Sequence, residues 1–446
     1  MQDFQTFIKQ AANVRPSQRQ MQWFNTEFYA FVHFSPNTYT GLEWGTGKED
    51  PAIFNPTELD CDQWVEAIKS AGMKGMVLTA KHHDGFCLWP SAYTEHSVKN
   101  SPCGKDIVKE AAEACRRGGI KFGFYLSPWD RNCSLYGTPE YNDYYCNQLT
   151  ELLTGYGDIF CVWFDGACGE GPNGKKQVYD FERYIALIRR YQPDAVIFND
   201  GGPDVRWVGN EAGKARHAEW AVVPSELCMR AEVQTGAGPL SGDLSYMYNT
   251  DPNVGCLANI LYSKGLTFCP SEVDMSIRPG WFFHECEQPH SLERLTHTYL
   301  TTVGGNTCFN LNIPPMPSGR FHEADVQRLK ELGNWIRTSF AQNLAEGIAA
   351  HCDQTSDTQA SWTLDFAEEQ SIRFVTLQEE IEQGQRVETF QIRALMADGT
   401  YQTIYHGTAI GHKKICALTQ PVRTKQLIVA ITAARDTVLL KDIQVF

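Results

Sequence analysis

Short apolar runs that end abruptly in polar and aromatic residues recur along the first two thirds of the chain, and between them apolar positions fall at helical spacing. Phe28 to Ser35 reads as a buried strand, stopped at Pro36, which cannot continue a central ladder. A helix is expected from about Asp60, where Gln63 completes a capping-box pattern, to Gly72. Gly75 to Ala80 is the next strand and runs into Lys81-His82-His83-Asp84-Gly85-Phe86. A helix from about Asp106 to Arg117 stops at Gly118-Gly119, and Lys121 to Ser127 is a strand. Thr138-Pro139 places an N-cap and a first-turn proline before a helix that reaches Gly155. Phe160-Cys161-Val162-Trp163-Phe164-Asp165-Gly166 then delivers a carboxylate at the lip of a buried strand. It is followed by a helix from about Val178 to Tyr191 and a strand from Ala195 to Asn199.

Strand and helix alternating in this way, with no GxGxxG and no Walker loop, predicts a somewhat irregular (β/α)8-like barrel rather than a nucleotide-binding open sheet. From about Gly201 to Gly280 the alternation weakens into Gly-, Pro- and Asn-rich stretches, read as loops with irregular later strands. A helix near Ser291 to Val303, a strand near Cys308 to Asn312 and a helix from about Glu323 to Thr338 close the barrel. Beyond Ala345 the texture changes to β-rich runs, such as Ile372 to Leu377, Thr389 to Ala394, Tyr401 to His406 and Gln426 to Ile431. The expected division is a barrel over residues 1–344 and an antiparallel β-sandwich over 345–446.

The formal charge of −14 argues against a nucleic-acid partner, since phosphate backbones demand clustered Lys and Arg. No apolar run approaches the roughly 20 residues needed to span a bilayer, so no membrane insertion is expected. The first twenty residues lack the apolar core of a signal peptide. The 15 cysteines form no Cys-x-x-Cys pair, which fits reduced thiols in a cytoplasm.

In a barrel of this kind the active site forms at the C-terminal ends of the strands, and there the chain gathers His33, His82 with His83, Tyr125 and Asp165. The histidines suit two uses, as neutral partners for hydroxyl groups or as ligands to a divalent metal. Adjacent His82 and His83 could both serve only if the chain turns between strand and loop. Glycoside cleavage instead needs an ionised carboxylate and a protonated one. Asp165 supplies the first. The partner belongs on a later loop, among Asp200, Asp204, Glu211, Glu219, Glu226, Glu232, Asp243 and Glu272. Glu43-Trp44 and Trp281 offer a further acid and aromatic faces for the apolar edge of a sugar. The alternatives are a metal-dependent barrel hydrolase built on His33, His82, His83 and Asp165, and a carbohydrate-binding protein without catalysis.

Taken together, Phe31-Val32-His33-Phe34, Glu43-Trp44-Gly45, Lys81-His82-His83-Asp84-Gly85-Phe86, Tyr125-Leu126-Ser127-Pro128-Trp129, Trp163-Phe164-Asp165-Gly166 and Arg278-Pro279-Gly280-Trp281 resemble the α-L-fucosidases of glycoside hydrolase family 29. The resemblance implies a retaining enzyme acting on fucosylated oligosaccharides. Asp165 would be the nucleophile and no cofactor or catalytic metal would be needed. It implies that His33, Glu43, Trp44, His82, His83, Tyr125 and Trp163 surround the fucose, with Trp281 near its methyl group. The stretch Gly202-Pro203-Asp204-Val205-Arg206-Trp207-Val208-Gly209-Asn210-Glu211-Ala212-Gly213 resembles the subgroup that cleaves α-1,3 and α-1,4 linkages of Lewis-type glycans, which makes Glu211 the acid/base. Two departures lie nearby: Ser35, where the family leads one to expect glycine, and Cys168, where it leads one to expect asparagine.

Overall fold

Alternate residues of the barrel strands bury in opposite directions, and this is what makes their sequences continuously apolar. In β1 (Phe28–Val32), Phe28, Ala30 and Val32 pack among the helices, whereas Tyr29 and Phe31 fill the barrel interior. The structure, a computed structural model, describes residues 4–225, 254–261, 263 and 265–446. The other strands of the barrel are β2 (Gly75–Lys81), β3 (Lys121–Leu126), β4 (Cys161–Trp163), β5 (Val196–Asn199), β6 (Val205–Trp207), β7 (Ser271–Ser276) and β8 (Cys308–Asn312). All eight pair in parallel, each with its neighbour in sequence, and β8 returns to β1 with Phe28 opposite Phe309. The barrel is closed and has no edge to protect.

Outside it lie α1 (Cys61–Ser70), α2 (Ile107–Gly118), α3 (Glu140–Gly155), α4 (Phe181–Tyr191), α5 (Leu292–Thr302) and α6 (Glu323–Ser339). Several boundaries differ from the sequence reading for local reasons. Asp60 caps α1 through the Gln63 N–H at 2.9 Å, but the Gln63 side chain does not reach back to complete a box. It pairs instead with both backbone groups of Phe321, at 3.0 Å each, and so ties α1 to the entrance of α6. Thr138 donates to Leu135 O, which leaves α3 to start at Glu140 without a side-chain cap. Val178 is exposed on a loop, and α4 begins only at Phe181, capped by Asp180. β1 ends at Val32, so His33 already stands on the loop.

The stretch read as mostly loop contains two barrel strands, β6 and β7, with no helix between β5 and β6. A small antiparallel ribbon, Val222–Pro224 against Leu266–Phe268, lies between β6 and β7. The candidate acids Glu226, Glu232 and Asp243 lie outside the described residues.

The C-terminal unit is an antiparallel six-stranded sheet with its own apolar core, made of β9 (His351–Ser356), β10 (Gln359–Glu379), β11 (Val387–Leu395), β12 (Tyr401–Gly407), β13 (Lys414–Ala434) and β14 (Leu440–Val445). The runs Ile372 to Leu377 and Gln426 to Ile431 are parts of two strands of 21 residues each. Bulges between Asp365 and Gln370 and between Ile372 and Phe374 break their register, and bulges bend strands. One half of the pair carries β9 and β11 while the other carries β14, which wraps the sheet about the core.

The sheet is fastened to the barrel just before β8. Gly305 bridges Lys414, Asn306 N–H donates to Lys413 O at 3.0 Å, and His412 N–H donates to Asn306 Oδ1 at 2.6 Å. Glu27, at the foot of β1, meets Lys413, with His412 Nε2 at 3.6 Å and Lys74 at 3.5 Å.

Candidate active site

The strand ends decide where the polar groups meet. Lys81, the last residue of β2, is fully buried in an ion pair with Asp130 at 3.0 Å and a hydrogen bond to Gln148 at 2.9 Å, beneath the rings of Tyr141, Tyr144 and Tyr145. With Lys81 fixed, the chain turns at once, Gly85 N–H donating to His82 O at 3.0 Å. Both His82 and His83 therefore enter the same cleft, which adjacent residues on a continuing strand could not do.

That cleft, about 340 Å³, opens at the C-terminal ends of the strands and is lined by all ten residues that the family resemblance implies for the site, but by none of the other described candidate acids on the later loops. His33 comes from the end of β1, Tyr125 from β3, Trp163 from β4 and Asp165 just beyond it. Glu43 and Trp44 arrive on the loop after β1, Glu211 on the loop after β6 and Trp281 on the loop after β7. Phe31 and Asp274 line it too. A larger hollow, about 810 Å³, opens by the strand starts near Lys121 and Phe160, away from this convergence.

Asp165 is held at both oxygens. The Ala167 N–H donates to Oδ1 at 2.7 Å and the Tyr125 hydroxyl to Oδ2 at 3.0 Å, while His83 Nε2 stands 3.8 Å from Oδ2. A Cβ at its neighbour Gly166 would lie 2.2 Å from Asp200 Oδ2, so a larger residue there would displace the Asp200 carboxylate. Trp163 stacks on Phe198 at 4.0 Å and donates from Nε1 to the buried Glu272 at 2.8 Å.

The three histidines are built to stay neutral. Burial pushes His33 down to about 3, against the opposing effect of its bond to Asn312. Asn312 Oδ1 accepts from the His33 ring Nδ1 at 2.9 Å, which leaves Nε2 as an acceptor. Burial likewise lowers His82 well below its usual value, and its buried Nδ1 has no partner among the described residues. His83 is lowered by burial although the charge of Asp165 opposes this; its Nδ1 donates to Ser127 Oγ at 2.7 Å, and that hydroxyl donates to Trp129 O. Neutral ring nitrogens with spare capacity match sugar hydroxyls. Among the described residues, no group of three or more His, Cys, Asp or Glu is arranged to hold a metal ion.

Glu211 is solvent-exposed as a residue, yet surrounding protein raises its pKa, aided by the charges of Asp165 and Glu43 and opposed by the Trp281 indole N–H, which donates to Oε2 at 3.2 Å. Glu43 accepts from Trp281 N–H at 3.1 Å and pairs with His284 at 3.0 Å, so it also orients the tryptophan. The described rival acids are otherwise engaged. Glu219 is buried between Arg206 and Arg216, Asp204 pairs with Arg19 and Arg189, and Glu272 holds Trp163 from beneath. Asp200 packs against Gly166. Neither departure carries a reacting group: Ser35 Oγ donates to Asp84 Oδ2 at 2.8 Å, and Cys168 Sγ lies 3.5 Å from Gln177 O.

Sequence reading missed Asp274, Trp207 and the supporting Asn312. The signal for Asp274 was present as alternation in Glu272-Val273-Asp274-Met275-Ser276-Ile277, a stretch with one polar face.

A family model described as Alpha-L-fucosidase matches residues 7–339. Alpha-L-fucosidase 1 of Arabidopsis thaliana is 38% identical over 95% of this chain and 86% of its own length. Among solved structures, a glycoside hydrolase 29 family member from an unknown rumen bacterium is 38% identical, with a TM-score of 0.85 over 98% of this chain and 78% of that one. A GH29 fucosidase of Ruminococcus gnavus in complex with fucose is 29% identical, with a TM-score of 0.83 over 97% of this chain and 95% of its own.

Proposed function

This chain belongs to the alpha-L-fucosidase family, glycoside hydrolase family 29, and from that premise we propose that it is a retaining exo-enzyme that removes terminal α-L-fucose using Asp165 and Glu211. The observation that carries this reading is the meeting of a doubly held carboxylate and an exposed carboxyl of raised pKa in one cleft lined for the most part by histidines and aromatic rings. Asp165 attacks the anomeric carbon while Glu211 protonates the departing oxygen. Glu211, now a carboxylate, then takes a proton from water as that water displaces Asp165. In a closed complex the two carboxyls stand about 5 to 5.5 Å apart, as retention requires. His33 Nε2 and His82 Nδ1 take ring hydroxyls, and Phe31, Trp163 and Trp281 face the apolar side and methyl group of the deoxy sugar.

For the linkage we propose α-1,3 and α-1,4 bonds of Lewis-type glycans, supported by the position of Glu211 on the loop after β6. We also place the enzyme in a reducing compartment, a reading supported by 15 cysteines scattered along the sequence without a Cys-x-x-Cys pair. Removing the nucleophile tests the mechanism. Asp165→Gly lowers turnover of an aryl fucoside by about 10³-fold or more, and azide restores it with formation of a fucosyl azide of inverted anomeric configuration. Near-normal activity without azide would sink the assignment. Release of fucose from Lewis trisaccharides but not from α-1,2-linked H structures checks the linkage.

A further inference from the structure

Strand β7 carries three polar residues at alternate positions, Glu272, Asp274 and Ser276, while Met275 and Ile277 pack on the helix side. Two of the three hold other groups of the protein and do not line the cleft. Glu272 accepts from Trp163 at 2.8 Å, from Asn310 at 3.0 Å and from Tyr29. Ser276 accepts from Asn312 at 2.8 Å, the residue that also orients His33.

Asp274 differs from both. It lines the cleft and is 3% exposed, and its one side-chain partner among the described residues is Trp207, whose Nε1–H donates to Oδ1 at 2.9 Å. Holding a single indole N–H does not need a carboxyl group. An amide would accept that bond without a buried acid close to two others, and burying a carboxyl costs free energy. Burial and the charges of Glu211 and Asp165 push the Asp274 pKa well above its usual value, which favours its protonated form. A neutral carboxyl anchored at one oxygen has an O–H to donate from the other.

We propose that Asp274 is a specificity-determining residue of the sugar site, hydrogen-bonding one ring hydroxyl of the bound fucose through its second oxygen while Trp207 fixes the first. This rests on the reading that the cleft takes a terminal fucose. A site that binds a hydroxyl in this way rejects the analogue lacking it, because its own buried group is then left without a partner.

The test uses four aryl α-L-fucosides, the intact sugar and its 2-, 3- and 4-deoxy forms, with the wild type, Asp274→Ala and Asp274→Asn. Asp274→Ala lowers kcat/KM on the intact fucoside by about 10- to 100-fold. On one of the three deoxy substrates the variant and the wild type become indistinguishable, while the other two keep the full loss. Asp274→Asn retains an acceptor for Trp207 and a donor for the sugar, so it loses less than alanine on the intact substrate and nothing on that same deoxy form. Equal losses on all four substrates would reduce Asp274 to a support for Trp207 and overturn the proposal, as would no loss on the intact fucoside. Wild-type protein inactive on the intact fucoside would overturn the reading of the cleft and the proposal with it, an outcome recognisable because it does not depend on position 274.

Discussion

At Glu211, protein crowding and the nearby carboxylates raise the pKa, whereas the Trp281 indole N–H at 3.2 Å favours the ionised form and lowers it. A general acid must arrive protonated, and the alkaline limb of kcat/KM follows its ionisation in the free enzyme. Trp281→Phe keeps an aromatic face but removes the donor, so the pKa of Glu211 rises further and the alkaline limb moves to higher pH. A pH profile that keeps its alkaline limb in place, or moves it lower, would contradict the assignment of Glu211. The candidates Asp165 and Glu211 were named in the sequence from the motifs that flank them. Asp274 was not, because an aspartate within a barrel strand conflicts with the expectation that such strands are apolar on both faces.

At the scale of elements, the turn after β2 depends on an ion pair with no exposed side-chain surface on either partner. Lys81→Met leaves Asp130 buried without its cation, and breaking one side of such a pair costs about 3 to 5 kcal/mol. Denaturant unfolding should show that loss. The fucosidase activity should fall as well, because His82 and His83 follow directly. The first five strands could be read from sequence because each is a short apolar run closed by a glycine, proline or polar lip. β6 and β7 could not, since β6 has only three residues and includes Arg206, which faces Glu219, and β7 alternates polar with apolar. The long strands of the C-terminal sheet were likewise read in pieces, because bulges interrupt their alternation just where the sheet bends.

For the molecule as a whole, the sheet and barrel are joined through groups that respond to acid. Burial alone would raise the pKa of Glu27, but His412, Lys413 and Lys74 reverse this and hold it far below the carboxylate range. A carboxyl whose pKa is depressed by folding stabilises the protein above its unfolded pKa of about 4.5, and that stability is lost as the pH falls below it. Glu27→Gln should therefore lower the melting temperature at neutral pH and make the decline below about pH 4.5 shallower than in the wild type. Melting curves from pH 3 to 8 measure both effects.

Trp163 lies flat on Phe198, with Phe31 beside it and Glu272 bonded beneath, so rings of the barrel interior close the cleft from below. The cleft of about 340 Å³ opens at the C-terminal ends of the strands, above this floor. Each released sugar must leave through the mouth by which the glycan entered, so the enzyme detaches from its substrate after every cut. On a glycan bearing two fucoses, mass spectrometry of early time points should find the singly trimmed species accumulating before the fully trimmed one appears.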